Sequence, residues 1–206
     1  MKLILLGPPG SGKGTIASKL AQEFGYKHIS TGDAFREAIR NKTPIGLEAK
    51  KYLDRGELVP DKITVNVLKE KISGAEDFIL DGYPRTIPQA DAIKDMKINL
   101  VINIEVSEKN IVERISGRRT CENCGKVYHL KFIPPPEDGK CECGGKLIQR
   151  SDEQPEVVKD RLKEYDKKTA PLIDYYQQKG LLKTIDGNPA PKEVYDCVKD
   201  VLENLE

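Results

Sequence analysis

Residues 1–15, "MKLILLGPPGSGKGT", join a short apolar run to a glycine-rich turn and a lysine, and this combination indicates the fold class. Lys2–Leu6 has the composition of a buried strand, and residues 7–15 fit the phosphate-binding loop that follows such a strand and opens a helix. The glycines let backbone N–H groups converge on phosphate oxygens, and the helix N-terminus adds positive potential. We therefore predict a nucleotide-binding loop in which Lys13 reaches the β- and γ-phosphates.

One position of this loop departs from the general pattern. Gly14 occupies the place that usually holds a Ser or Thr ligand of Mg²⁺, and Thr15 follows one residue late. We therefore expect Mg²⁺ to be held more by phosphates and water. Asp81 closes another apolar run, 78–80, and a carboxylate at that place orients Mg²⁺ in phosphate-loop proteins. An Asp before a Gly is also common in plain turns, so its neighbours decide its meaning.

Apolar runs and helical patterns alternate along the rest of the chain. Further strands are predicted at residues 100–106 and 182–185, and helices at 15–24, Asp61–Ile72, 108–115 and 156–178. This alternation predicts an α/β fold with a parallel sheet covered by helices on both faces. A final apolar stripe predicts one more helix, in which Cys197 would be a packed core thiol; the stripe comprises Val194, Cys197, Val198, Val201, Leu202 and Leu205.

Length and charge narrow the class of protein. The chain has 206 residues and a formal net charge of +1, which suits one α/β domain with a small insertion. No global charge attracts nucleic acid or membrane, and no apolar run has membrane-spanning length. The apolar start is short, lacks cleavage-site chemistry and runs directly into the phosphate loop, so we interpret it as a strand and expect a cytoplasmic protein.

Four of the five cysteines lie within residues 120–146, where the α/β rhythm is interrupted by an inserted lobe of roughly residues 117–153. Cys121-x-x-Cys124 and Cys141-x-Cys143 are each followed by Gly, and two such turns brought together make a tetrahedral, structural Zn²⁺ site. Disulfides fit a cytoplasmic protein poorly, and a redox pair would need a thioredoxin-like context. The second pair is short, so His129 or a carboxylate could replace one of its thiols.

Three further motifs carry a resemblance to a known family. Asp81-Gly-Tyr-Pro-Arg-Thr86 with Gln89, Ser30-Thr-Gly-Asp33 with Arg36, and the phosphate loop together closely resemble the adenylate kinase family, of the long type with a large lid. The resemblance covers essentially the whole chain. It implies a P-loop, doubly wound parallel sheet that forms a core domain of residues 1–29, 60–116 and 154–206. Residues 30–59 would be a helical insertion that binds the nucleoside monophosphate (NMP), and residues 117–153 a zinc-binding lid.

The resemblance also implies an activity and its ligands. The family transfers the γ-phosphoryl group of ATP reversibly to AMP, giving two ADP, with Mg²⁺ bound to the nucleotide. We therefore expect ATP, AMP and ADP as partners together with a structural Zn²⁺, and neither nucleic acid nor membrane. Zinc-bearing lids of this family usually carry Cys-x-x-Cys or Cys-x-x-Asp as their second pair, one residue longer than the pair in this chain.

The family's functional positions map onto this sequence residue by residue. The positions matched to ATP binding are Gly10, Ser11, Gly12, Lys13, Gly14, Thr15, Arg114, Arg118, Val127, Tyr128 and Pro189. Those matched to AMP binding are Thr31, Arg36, Glu57, Leu58, Val59, Gly82, Tyr83, Pro84, Arg85, Gln89, Arg150 and Arg161. Those expected to serve phosphoryl transfer itself are Lys13, Asp81, Arg85, Arg118, Arg150 and Arg161. Asp152 resembles an acid that the family uses in lid closure.

Two other functions stay open at this level. A kinase for UMP or CMP would share most of these motifs. A P-loop nucleotide switch whose zinc ribbon binds nucleic acid is the second alternative, but the ribbon mixes acids with its lysines and has few aromatics, unlike a basic stacking surface. That alternative also gives no role to Arg36, Arg85 and Gln89. His28 and His129 show no partner pattern, so surface or packing roles are expected for them.

Overall fold

The computed structural model describes residues 1–204 and places one parallel sheet at the centre of the chain. Its five strands are β1 (Lys2–Leu6), β2 (Lys27–Ser30), β3 (Phe78–Asp81), β4 (Leu100–Glu105) and β8 (Leu182–Asp186). They lie in the order β2-β3-β1-β4-β8, and every neighbouring pair runs parallel. The predicted α/β fold with a parallel sheet is confirmed.

Nine α-helices are found within the described residues. They are α1 (Lys13–Phe24), α2 (Thr31–Arg40), α3 (Pro44–Leu53), α4 (Asp61–Ile72), α5 (Ile87–Asp91), α6 (Glu108–Ser116), α7 (Pro155–Lys168), α8 (Pro171–Gln178) and α9 (Pro191–Glu203). Short 3₁₀ turns form at Lys94–Met96 and Ser151–Glu153. None of the helices within residues 1–204 combines the length and apolarity needed to cross a lipid bilayer.

Strand β1 shows why helices cover both faces of the sheet. Successive strand side chains point to opposite faces, so Leu3 and Leu5 join one apolar cluster while Ile4 and Leu6 join another. The first cluster packs the sheet against α1, α6 and α9, and the second against α4, α5 and α8. Because β1, β3 and β4 lie inside the sheet and are buried on both faces, their sequences are mostly apolar.

Two smaller units stand out from this core. Residues 30–59, here called the NMP segment, contain α2 and α3, which pack on α4 through the apolar cluster of Phe35, Ala49 and Val59. Residues 117–153, here called the Cys-rich lobe, contain a separate antiparallel sheet of β5 (Arg118–Cys121), β6 (Val127–His129) and β7 (Leu147–Ile148). The division of the chain into three functional parts stays a prediction.

Three expectations about individual elements were wrong or incomplete. The helix predicted at 156–178 is broken between α7 and α8, because Pro171 has no N–H to donate and its ring excludes a continuous helix. Strand β2 was missed, since it is an edge strand with Ile29 as its one buried residue. Cys197 is exposed, because Tyr195 rather than Cys197 completes the inward face of α9. The predicted Leu205 lies outside the described residues.

Candidate functional site

The phosphate loop lies between the end of β1 and the start of α1, as predicted. Gly10 and Gly12 adopt φ angles of 82° and 95°, a left-handed conformation that glycine adopts without strain. The Lys13 Nζ turns back onto this loop and donates to the carbonyls of Gly7 and Pro8 at 2.6 and 2.8 Å. Burial lowers the pKa of Lys13 to about 7, although the nearby carboxylate of Asp81 opposes the shift.

Asp81 ends β3 beside this loop, since β1 and β3 are neighbours and Leu5 pairs with Asp81. A Cβ built on Gly14 would lie 3.2 Å from Asp81 Oδ2. Because Gly14 has no side chain, the Asp81 carboxylate can lie close to the loop at this position. His28 Nε2 lies 3.4 Å from the same oxygen, and Ser18 Oγ lies 3.4 Å from His28 Nδ1. The sequence predicted a surface or packing role for His28. The structure places it beside Asp81, in the wall of the candidate site.

A cavity of about 900 Å³ opens at the carboxyl edge of the sheet, between the phosphate loop, the NMP segment and the Cys-rich lobe. Its wall carries Arg114 and the six cations that the sequence predicts to face phosphate groups: Lys13, Arg36, Arg85, Arg118, Arg150 and Arg161. Burial, together with Arg36 and Arg118, lowers the pKa of Arg150 to about 9, and burial with Arg161 nearby lowers that of Arg85 to about 10. Both guanidinium groups therefore stay charged at neutral pH.

Carboxylates hold several of these arginines in place. Arg36 pairs with Asp33, and Arg161 Nη1 lies 2.7 Å from Asp152 Oδ2. Burial acts to raise the pKa of Asp152, but Arg161 and other arginines hold that pKa below its ordinary value. The cavity is thus a cationic site whose side chains are oriented by hydrogen-bonded ion pairs, the geometry that suits phosphate groups.

Glu153 is a residue of the candidate site that was not predicted from the sequence. Its side chain is fully buried and forms ion pairs with Arg118 and, at 3.9 Å, with Arg150 Nε, while Arg150 N donates to Glu153 Oε2. Arg118 lies at the start of the Cys-rich lobe and Arg150 at its end, so one carboxylate joins both ends. The local pattern Ser-Asp-Glu does not distinguish Glu153 from an exposed acid. Its position in the sequence between two predicted phosphate-binding arginines, Arg150 and Arg161, is the one feature that could have indicated an ion pair.

The predicted AMP-binding residues divide into two groups. Arg36, Glu57, Leu58, Gly82, Pro84, Arg85, Arg150 and Arg161 line the cavity. Thr31, Val59, Tyr83 and Gln89 are buried behind its wall. The Gln89 amide is engaged there, because its Nε2 donates to Asp61 Oδ1 at 2.6 Å and its Oε1 accepts from Arg85 N at 2.8 Å. A contact between Gln89 and the AMP base remains a prediction.

On the predicted ATP side, all of the assigned residues except Pro189 line the cavity. Arg114 fastens two loops together, donating to the carbonyls of Ser11 at 3.3 Å, Gly187 at 2.7 Å and Pro189 at 3.0 Å. Pro189 thus contributes its carbonyl to this network. Tyr128 shows only part of its surface to the cavity, because its hydroxyl contacts the sulfur of Cys141 at 3.3 Å.

The four cysteines of the Cys-rich lobe come together as one group. Their sulfurs all lie within 4.8 Å of one another, with Cys121 and Cys143 at 3.5 Å and Cys124 and Cys141 at 3.6 Å. A zinc ion bound by four thiolates at about 2.3 Å would hold its sulfurs about 3.8 Å apart, so the arrangement fits zinc. The hydrogen bond from Tyr128, with others from the Cys143 backbone, lowers the pKa of Cys141 to about 6. A backbone hydrogen bond acts to lower the pKa of Cys143, but hydrogen bonds with the other three sulfurs raise it, so the four thiols share their protons as one group.

His129 does not replace a thiol in this group. Its Nδ1 accepts hydrogen bonds from the backbone N–H groups of Lys131 and Phe132 at 3.1 and 3.2 Å, and its ring packs against Phe132 with centroids 4.5 Å apart. The short Cys141-x-Cys143 pair therefore supplies two of the four clustered sulfurs, and the alternative ligand sets are not needed.

The Cys-rich lobe reaches across the cavity to the NMP segment. Ser151 Oγ donates to Asp54 Oδ1 at 3.2 Å, and a Cβ on Gly125 would lie 3.1 Å from Arg40 Nη1. Close packing at Gly56, where a Cβ would lie 3.0 Å from the Val157 carbonyl, joins the end of the NMP segment to α7. The cavity is consequently covered by the two units together.

Comparison with known proteins gives a consistent result over the full chain. The sequence model of a family described as "Adenylate kinase" matches residues 5–181. A protein named adenylate kinase from Carboxydothermus hydrogenoformans is 53% identical over an alignment covering 98% of this chain and 100% of that protein. Proteins of the same name from Staphylococcus aureus and Staphylococcus epidermidis are each 50% identical over 100% of this chain, with 99% and 100% of their own lengths covered.

Proposed function

Since this chain belongs to the adenylate kinase family, and is an enzyme that transfers a phosphoryl group between ATP and AMP, we propose that transfer depends on Mg²⁺ and on closure of the Cys-rich lobe over ATP. The observation that carries the proposal is the cavity itself, in which six cations from the phosphate loop, the NMP segment, the lobe and the core surround one space. Two nucleotides bring many negative charges together, and this wall supplies the opposite sign.

The reaction needs positioning and charge neutralisation rather than a protein nucleophile. An oxygen of the AMP phosphate attacks the γ-phosphorus of ATP, and the bond from that phosphorus to the β–γ bridging oxygen breaks, so two ADP leave. Lys13 and Arg118 would hold the ATP phosphates, while Arg36 and Arg85 would hold the AMP phosphate. Arg150 and Arg161 line the same cavity and would neutralise charge on the transferred group.

Asp81 is the protein group that would orient the metal–nucleotide complex. It is largely buried, it ends a strand beside the phosphate loop, and Gly14 leaves space at its carboxylate. Mg²⁺ bound with ATP supplies charge neutralisation between the β- and γ-phosphates. His28 lies against the same carboxylate and would limit its rotation, so that the oxygen facing the loop stays in place.

The Cys-rich lobe would act as the lid of the site. Its four buried cluster residues, Cys121, Tyr128, Cys141 and Leu147, are too few for an independent core, so a structural Zn²⁺ held by the four thiolates would stiffen it. A stiff lobe delivers Arg118 and Arg150 to the phosphates as one unit, since Glu153 already joins them. Closure would also exclude water, which protects ATP from hydrolysis.

AMP is the proposed acceptor in preference to other monophosphates. Glu57 and Leu58 line the same cavity as Arg36 and Arg85, and the relatives that match the whole chain are named adenylate kinases. A contact between Gln89 and the base would require its amide to exchange its hydrogen bonds with Asp61 and Arg85. The breadth of acceptor choice is tested by comparing AMP with UMP and CMP at equal concentration.

Mixing the protein with ADP and Mg²⁺ tests the proposal. We expect equal amounts of ATP and AMP to form until equilibrium, and a chelator of Mg²⁺ to stop the reaction. Absence of disproportionation in the presence of Mg²⁺ would reject the assignment. Equal rates with and without Mg²⁺ would reject the metal dependence while leaving the phosphotransfer in place.

A further inference from the structure

The main chain of Arg85 is held at both ends by side chains from other elements. Its N–H donates to Gln89 Oε1 at 2.8 Å, and its carbonyl accepts from Thr169 Oγ1 at 2.9 Å. We propose that Thr169, in the break between α7 and α8, is a positioning residue that sets where the Arg85 guanidinium meets the acceptor phosphate. This inference rests on the proposed function, because it assumes that Arg85 binds AMP.

Arg85 needs such support, because its side chain is weakly anchored. Within residues 1–204, no ion pair joins Arg85 to a carboxylate, and its Nε donates to the carbonyl of Gly82 at 2.8 Å. A Cβ built on Gly82 would lie 2.9 Å from Arg85 Nη2, so the guanidinium lies directly over that glycine. Asp81 and Asp152 act on this guanidinium without forming an ion pair with it, so its hydrogen bond to the Gly82 carbonyl ties its position to the local backbone.

Thr169 is suited to hold that backbone. It is 7% exposed, its N–H donates to the Tyr165 carbonyl at 2.8 Å, and its own carbonyl accepts from Leu172 N at 2.9 Å. In a continuous helix a threonine hydroxyl commonly donates to the carbonyl one turn earlier. Here the helix breaks before Pro171, and the hydroxyl donates to a residue 84 positions away in sequence.

Hydrogen bonds from three parts of the fold therefore fix the backbone of Arg85. Asp61, at the start of α4, fixes Gln89 through the amide, Gln89 fixes the N–H of Arg85, and Thr169 fixes its carbonyl. A small shift of Arg85 would change its contact with the AMP phosphate more than any contact on the ATP side. Loss of the Thr169 hydroxyl should consequently affect the two substrates unequally.

Thr169→Val tests this inference, because it removes the donor and nearly preserves the side-chain shape. We expect kcat/KM for AMP to fall about tenfold, the size of effect that loss of one buried hydrogen bond gives, while KM for ATP changes less than about twofold. Thr169→Ser keeps the hydroxyl and should restore most of the wild-type value. Tyr175→Phe is the matched control, since it removes a 2.8 Å hydroxyl hydrogen bond from α8 to Asp91 in α5, away from Arg85, and should leave both substrates unaffected.

Repeating the Thr169→Val substitution in an Arg85→Lys variant separates an effect on the position of Arg85 from a general weakening of the fold. In an Arg85→Lys variant the guanidinium is absent, so adding Thr169→Val should cost less than about threefold, because the two changes share one interaction. The inference is overturned by wild-type kcat/KM for AMP in Thr169→Val, by equal losses in both backgrounds, or by failure of Thr169→Ser to recover. A wild-type protein without phosphoryl transfer to AMP would instead overturn the proposed function on which the inference rests.

Discussion

Glu153 offers the sharpest test of how the cationic cavity is stabilised before nucleotides arrive. Glu153→Gln keeps the side-chain shape but leaves Arg118 and Arg150 without their buried counter-ion. Removing one partner of a buried pair costs about 3–5 kcal/mol, and the low value applies because the two arginine side chains keep 20% and 11% exposure. At about 2–4 °C per kcal/mol for a chain of this length, the melting temperature should fall by about 6–12 °C.

Nucleotide should reverse much of this loss, because phosphate groups supply the missing negative charge. Calorimetry without ligand and with saturating ADP and Mg²⁺ should show the deficit of Glu153→Gln shrinking to half or less in the liganded protein. Glu113→Gln serves as the control, since its pair with Lys131 at 2.7 Å is exposed and contributes under about 1 kcal/mol. An unchanged melting temperature, or a deficit equally large with nucleotide bound, would show that Glu153 does not stabilise the empty cavity by neutralising Arg118 and Arg150.

Three further outcomes follow from the same structure. Chelation of zinc, or Cys124→Ser, should loosen the Cys-rich lobe and lower the melting temperature before it abolishes nucleotide binding to the phosphate loop; identical calorimetric traces with and without chelator would contradict this. At pH 8, ATP binding should take up as much as one proton, because the Lys13 pKa of about 7 in the empty site rises when phosphate arrives. Titration calorimetry in buffers of different ionisation enthalpy measures this uptake, which Lys13→Met should abolish; uptake that persists in the variant would exclude Lys13 as its source. Cys197→Ser should change the free energy of unfolding by less than about 0.5 kcal/mol, since Cys197 is exposed; a loss above about 2 kcal/mol in denaturant titration would disprove that placement.

The parts of the fold that sequence could predict are those with a strong local signal. β1, β3 and β4 are dominated by apolar runs that need burial, and the phosphate loop has a fixed spacing of glycines and a lysine. β8 is the other edge strand and has a weaker signal, carried by Leu182 and Ile185. β2 has only Ile29 as an apolar residue, because an edge strand can leave its side chains partly exposed. The break between α7 and α8 was signalled by Pro171, but the helical periodicity on both sides of it outweighed that signal.

The candidate site was predictable as a set of residues but not as a set of contacts. Arg118 and Arg150 lie 32 positions apart, and sequence alone could not show that one carboxylate, Glu153, joins them. Thr169 carries no motif at all, and its contact with the Arg85 carbonyl depends on how α7 ends. Hydrogen bonds between distant segments arise from tertiary packing, which no local pattern encodes.

In the proposed reaction, one cationic cavity passes a phosphoryl group directly from ATP to AMP. ATP that carries ³²P at the γ-phosphate, incubated with AMP, Mg²⁺ and the protein, shows where that group goes. We expect label in ADP, no label in inorganic phosphate, and loss of this transfer in Arg85→Ala. Label released as inorganic phosphate, or transfer that is unaffected by Arg85→Ala, would contradict it.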